Sequence, residues 1–215
     1  IPILYFPKFF DPDPTVERQS GFLKPQLNNS NVLGNSVKIP YYKILEENKD
    51  FTITPSLFDD NFFMLENEYR QINKNSNLDI NFGIVSGYKS SIDTKKKNIN
   101  SVFSEFNKDL NLENFISSDL YLSLQRMNND TFLKVFDQNI QDTKIKPKDP
   151  NILESHAKIS LNHSKYNLNA GFTVYENLEK VSSDRYQYIL PYFNFDKNLS
   201  NNFLNGIVNF SSSGE

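Results

Sequence analysis

Cysteine is absent from these 215 residues, so the chain can form neither a disulfide nor a thiolate metal site. Tryptophan is absent too, and only two histidines occur, His156 and His163. No run of about 18 apolar residues exists, which excludes a transmembrane helix. Positive charge is not in excess: the net charge is −3 and the pI about 5.5, which argues against a nucleic-acid binder held by a basic face. A Gly-rich phosphate loop and a G-x-S-x-G elbow are both missing. The chain begins at Ile1 without a methionine and stops just after a strand-like run. It is therefore expected to be an internal piece of a longer protein, where the lack of a signal peptide carries no information on targeting.

Aromatic residues are plentiful, with 19 Phe and 11 Tyr, yet the mean hydropathy is −0.56. A polar, aromatic-rich chain suits a membrane barrel whose strands alternate lipid-facing apolar and lumen-facing polar residues. Composition alone fits a soluble β-sandwich equally well. The alternation itself is clear. Phe51, Ile53 and Leu57 oppose Asp50, Thr52, Thr54 and Ser56; Leu120, Leu122 and Leu124 oppose Asp119, Ser123 and Gln125; Leu168, Ala170, Phe172 and Val174 oppose Asn167, Asn169, Gly171 and Thr173. About eleven such strands are expected, each long enough to cross a bilayer at a tilt. Segments 99–108 and 186–195 are less regular, and Asn111 to Phe115 could open a short helix.

From the fourth strand onward the expected connections alternate in length. Those at 73–77, 109–114, 163–166 and 196–201 are short; those at 89–98, 127–153 and 177–185 are long. Outer-membrane barrels do this because tight turns gather on the periplasmic side and long loops on the other. A soluble sandwich has no reason to keep that parity, so the barrel is favoured. The first strand would then run outward, leaving loops 28–35, 89–98 and 127–153 outside the cell.

Prolines interrupt the first three strands at Pro25, Pro40 and Pro55. Lacking an N–H, each removes a donor from a sheet ladder. Neighbouring strands weakened in this way suggest a seam that pairs poorly. The same stretch carries Arg18-Gln19-Ser20-Gly21-Phe22-Leu23 before Pro25, then Ile39-Pro40-Tyr41-Tyr42, then Asp50-x-Thr52-Ile53-Thr54-Pro55, and Glu68-Tyr69-Arg70. In order and spacing these blocks strongly resemble the LptD family of outer-membrane LPS-assembly proteins, over roughly the first 70 residues. The lead-in Pro7-x-Phe9-Phe10-Asp11-Pro12-Asp13-Pro14 is similar as well, and Asn129-Asp130-Thr131-Phe132-Leu133 resembles a loop motif of the family.

The resemblance implies an all-β architecture: an antiparallel transmembrane β-barrel, here partial with about eleven strands, preceded by the last strand of a jellyroll domain. Residues 1–16 would be the jellyroll end and a stiff Asp-Pro hinge, and 17–215 the first part of a barrel that in the family has about 26 strands. It implies lipopolysaccharide as the transported molecule, an LptE-like plug lipoprotein, an LptA-like periplasmic bridge and the outer membrane of a Gram-negative bacterium. Pro25 and Pro40 match family prolines credited with weakening a lateral gate; bulges that only shape the barrel are the plainer alternative. Pro55, on the third strand, is harder to assign to a gate. Ile1, Ile3, Tyr5, Phe9 and Phe10 would line an acyl-chain groove or form ordinary core.

No catalytic constellation emerges, and no enzyme, cofactor or metal is expected. His156 and His163 fall near opposite ends of one strand, and His156 with Glu154 is too small a set for a metal. Glu46-Glu47 and Asp59-Asp60 sit in expected turns, while Glu66 and Glu68 share a strand face and read as a solvated wall. Lys95, Lys96 and Lys97 form a basic run in a long loop, either a contact for LPS phosphates or a solvated loop. Two other functions stay open: an outer-membrane porin or channel with a continuously bonded wall, and a soluble carbohydrate-binding β-sandwich with its apolar faces turned into a closed core.

Overall fold

A period-two pattern drives most of the described residues into antiparallel strands. The computed structural model describes residues 18–59, 61–89, 95, 97–201 and 206–215. The expected jellyroll strand and hinge at 1–16, together with Lys96 and Asp60, lie outside them.

Thirteen strand segments follow one another: β1 (Gly21–Phe22), β2 (Gln26–Ser30), β3 (Gly34–Lys38), β4 (Tyr41–Glu46), β5 (Lys49–Phe58), β6 (Phe63–Asn73), β7 (Ser76–Tyr88), β8 (Lys97–Asp109), β9 (Phe115–Met127), β10 (Ile152–His163), β11 (Tyr166–Asn177), β12 (Tyr186–Asn201) and β13 (Gly206–Gly214). From β4 on, each pairs with the next in sequence. β1 pairs with β4, and β2 with β3, which also pairs with β5. The sheet is open, because among the described strands β1 and β13 are not partners.

The segments make eleven strands. β3 and β4 lie on one uninterrupted register against β5, with Ser36 opposite Phe58 and Tyr41 opposite Ile53. They are one strand cut at Pro40. β1 and β2 are likewise one strand cut near Pro25, with one extra residue between the Phe22–Tyr41 and Gln26–Lys38 pairs. This is a bulge, the position where a sheet tolerates proline. Pro191 obeys the same rule: Gly171 faces Tyr192 and Thr173 faces Ile189, so Leu190 and Pro191 together oppose Phe172.

The alternation of short and long connections holds where it is described. Two residues separate β6 from β7 and β10 from β11, whereas 128–151 separates β9 from β10. Residues 196–201, expected as a short turn, instead lie inside β12. Asn111 to Phe115 begins no helix. Asn111 and Asn114 adopt left-handed φ of 48° and 70°, which asparagine tolerates and a helix does not allow. The Asp109 carboxylate accepts the Asn111 N–H at 2.9 Å and closes the turn.

Two compact units are distinguished: one built on the strands up to residue 72 with 79–103 and 126–146, the other on 73–78, 104–125 and 147 onward. In the first, the covered face is rich in polar side chains, set beside the apolar Met64, Val85, Ile99 and Phe103. Thr52, Thr54 and Ser56 of β5 and Glu66 of β6 are covered, whereas Leu57 is 60% exposed. A water-soluble sandwich does the reverse, because burying a polar face costs more than burying an apolar one. An exposed apolar face opposite a covered polar face is the arrangement of a barrel wall in lipid. The second unit carries the same signature in exposed Leu122, Leu124, Phe172, Val208 and Phe210. It also carries a row of rings across five adjacent strands. Phe115 meets His163 at 5.6 Å, His163 stacks on Tyr166 at 4.6 Å, Tyr166 meets Phe195 at 5.8 Å and Phe195 meets Phe210 at 6.3 Å. The row starts beside the short turns, where an aromatic girdle would meet the membrane interface.

Residues 128–146 cover the polar face of the first unit. They contain its one described α-helix, α1 (Phe132–Phe136). The Asn129 side-chain oxygen accepts the Thr131 N–H at 3.0 Å and turns the chain into that helix. Phe132, Leu133 and Phe136 are buried. Phe136 packs edge-on against Tyr88 at 5.3 Å, Phe62 at 6.3 Å and Phe58 at 6.5 Å.

Candidate functional site

Three features meet in the first unit: a weakened ladder across the first strands, a charged cluster at their short-turn end, and the docked loop. The ladder follows from proline chemistry. Two residues facing each other in an antiparallel bonded pair normally exchange two hydrogen bonds. Leu23 donates its N–H to the Pro40 carbonyl at 2.9 Å, and Ile39 donates to the Pro55 carbonyl at 3.1 Å. Neither proline has an N–H to return, so each pair holds by a single bond. Pro25 lies at the bulge between the Phe22–Tyr41 and Gln26–Lys38 pairs, where it too removes a backbone donor. One donor is thus missing at the bulge of the first strand, one between the first and second strands and one between the second and third. Pro55, which from the sequence is harder to assign to a gate than Pro25 and Pro40, removes a donor from the pairing of the second and third strands.

The charged cluster gathers residues of the first four strands. The Asp50 carboxylate lies at its centre, its side chain 10% exposed. Arg18 donates from Nη2 to Asp50 Oδ2 and from Nε to the Tyr42 hydroxyl at 2.9 Å. Arg70 donates from Nε to Asp50 Oδ1 at 2.8 Å and approaches Glu68 at 3.8 Å. Arg18 also reaches the Glu47 carbonyl at 3.1 Å. The separate motif blocks holding Arg18, Tyr42, Asp50 and Arg70 are therefore one hydrogen-bonded unit, with Glu68 beside it as an ion-pair neighbour of Arg70. Two guanidinium groups sharing a nearly buried carboxylate form charge-assisted bonds, stronger than neutral ones. Asp50→Ala leaves both arginines without their acceptor. It is expected to cost about 1–2 kcal/mol, at the lower end for charged bonds because both arginines are partly solvated. A lowered urea midpoint for the detergent-solubilised protein would register this, with Asp50→Asn falling in between.

Other motif residues serve local geometry. The Ser20 hydroxyl accepts the Ile44 N–H at 2.9 Å. Gly21 and Phe22 form β1, and the Phe22 ring packs edge-on to Tyr41 at 5.0 Å. Thr52 is buried on the polar face. Tyr69 donates to the Gln71 side chain at 2.8 Å. Lys95 lies in the long connection before β8 and Lys97 opens β8, both apart from the first strands in sequence and strand order. His156 contacts Thr173 at 3.1 Å and Glu154 at 3.4 Å, while His163 is engaged in ring stacking.

The expectation of a solvated Glu66–Glu68 wall is overturned. Both residues are buried, because the docked loop brings a donor to Glu66: the Gln141 N–H lies 3.0 Å and 3.2 Å from its two oxygens. Across from it, buried Lys38 of β3 donates to the carbonyls of Gln138, at 3.3 Å, and Asn139. The Asn139 amide donates to the Ser36 hydroxyl at 3.1 Å, and Lys144 pairs with Asp79 at 2.8 Å. Lys38, Ser36 and Asn139 were not among the residues expected to matter. No pattern along the chain signals a partnership across a hundred residues.

An open antiparallel sheet with apolar faces outward, polar faces covered, alternating short and long connections and a ring girdle belongs to the class of outer-membrane β-barrel walls. No family model matches the chain. Its sequence is similar to LPS-assembly protein LptD from several bacteria. It is 40% identical to that of Nitrosomonas eutropha over 72 residues, covering 34% of this chain and 10% of the relative. It is 30% identical to that of Cupriavidus pinatubonensis over 132 residues, covering 61% and 15%, and 28% identical to that of Legionella pneumophila strain Paris over 160 residues, covering 65% and 18%. Across these spans the chain is LptD-like. It covers between about a tenth and a fifth of the length of these relatives.

Proposed function

We propose that the chain is part of an outer-membrane translocon that assembles lipopolysaccharide into the outer leaflet, and that its first strands form one side of a lateral gate. The protein acts mechanically and not as an enzyme. Support for the gate comes from the single-bonded pairs at Leu23–Pro40 and Ile39–Pro55. Each missing ladder bond lowers the cost of separating strands by roughly 0.5–1.5 kcal/mol. A porin wall has no use for consecutive strands depleted of donors at one level. The charged cluster around Asp50 ties the same strands at their short-turn end, so opening would spread from the proline level toward the long-loop end.

In this reading the short turns face the periplasm, and the 128–151 connection leaves and rejoins the wall at its outer end while 128–146 folds back over the polar face. An LptE-like lipoprotein would fill the lumen of the complete barrel, and an LptA-like bridge would deliver LPS from the periplasmic side. Lys95, Lys96 and Lys97 offer positive charge to LPS phosphates near the outer surface. Depletion of the protein in its host tests the function. Newly made LPS is expected to disappear from the cell surface and accumulate inside; unaltered surface LPS after depletion would refute the proposal.

A further inference from the structure

The interior-facing loop is bonded to the one strand whose neighbours hold it least. β3 and its continuation β4 are short of a donor on both sides, at Pro40 toward the first strand and at Pro55 toward the third. Yet β3 carries two buried polar side chains, Ser36 and Lys38, that are 4% and 5% exposed. Both end on the same loop segment: Lys38 on the Gln138 and Asn139 carbonyls, Ser36 on the Asn139 side chain. Asn139 is itself 2% exposed. A lysine buried this deeply is unusual, and here its ammonium is satisfied by carbonyls of the loop. The loop segment in turn is secured by α1 in its aromatic cage, by Glu66 through the Gln141 N–H, and by Lys144 on Asp79.

We infer that Lys38 is a positioning residue for the seam: through Gln138 and Asn139 it latches the second strand to the docked loop, so the proline-weakened strands cannot move outward until the loop lets go. The latch replaces, from the covered side, the ladder bonds that the prolines remove. Movement of residues 128–146 and parting of the first strands then become one event. Glu66 anchors the same loop to the fourth strand, which no proline weakens, and so secures the loop without holding the seam.

The inference rests on the gate reading, but its test needs no LPS. Amide hydrogen exchange is followed by mass spectrometry on the full-length protein in detergent micelles. Lys38→Met, which keeps the apolar stem and removes the donors, is expected to speed exchange in residues 21–46 roughly tenfold, the equivalent of one lost charged hydrogen bond. Strands β10 and β11 should exchange as before. Lys38→Arg, which retains donors, should restore most of the protection and shows that the site tolerates substitution. Glu66→Ala should speed exchange in 128–146 most, and in 21–46 clearly less than Lys38→Met does, because it loosens the loop without removing the Lys38 contacts. Unaltered exchange of 21–46 in Lys38→Met would overturn the latch, as would equal acceleration of 21–46 by Glu66→Ala, since the loop would then be a general prop. Either result leaves the depletion experiment, and with it the LPS reading, untouched.

Discussion

The double substitution Pro25→Val with Pro40→Val should slow delivery of new LPS to the surface by about thirtyfold while the barrel still assembles. A valine in place of Pro40 carries an N–H where Leu23 now finds only a carbonyl, restoring the second bond of that pair. A valine in place of Pro25 supplies an N–H at the bulge of the first strand, where proline offers none. Two net hydrogen bonds of about 1 kcal/mol each lower the open population by about thirtyfold. Valine also favours the extended backbone, which adds in the same direction. Pulse labelling of LPS followed by surface detection measures the rate, and heat-dependent gel migration reports barrel assembly. Pro191→Val is the control: this proline sits opposite Phe172 in a bulge of β12, away from the first strands, and export should be unaffected. Wild-type delivery in the double variant would mean that Pro25 and Pro40 only shape the wall, and the gate would be withdrawn.

Phe136→Ala should release the docked loop. Phe136 is fully buried and its ring touches Phe58, Phe62, Tyr88 and Phe132. Truncating a buried phenylalanine to alanine costs about 3–5 kcal/mol, because the cavity collapses only partly. α1 is too short to persist without its packing. The population with the loop undocked should therefore rise more than about a hundredfold. Cleavage after Lys134 and Lys144 by a trypsin-like protease reads this directly on the solubilised protein, since a docked backbone does not fit a protease cleft. Phe136→Leu keeps most of the volume and should fall far nearer the wild type. Equal resistance in the alanine variant would show that the polar anchors at Glu66 and Lys38 hold the loop unaided.

Much of this molecule was legible along the chain because it is local. Period-two alternation marks strands wherever successive side chains face opposite sides, and Phe51 to Leu57 against Asp50 to Ser56 shows it plainly. Turn positions were less secure. β12 runs through 196–201 because ladder pairing with β13, from Phe193–Gly214 to Asn201–Gly206, outweighs the polar composition of that stretch. Proline positions were visible too, since a missing N–H is a property of the residue itself, and the motif blocks marked the first four strands as special. Their joint purpose was not visible. Arg18, Tyr42, Asp50 and Arg70 become one cluster only when the register aligns them side by side. The role of Pro55 likewise appears only when Ile39 is found opposite it. Tertiary structure alone decided that the polar face would be covered, and by what. The contacts from Lys38 and Ser36 to Asn139 and from Glu66 to Gln141 join residues far apart in sequence. Such contacts depend on where a long connection folds back in space, and side-chain periodicity carries no record of that.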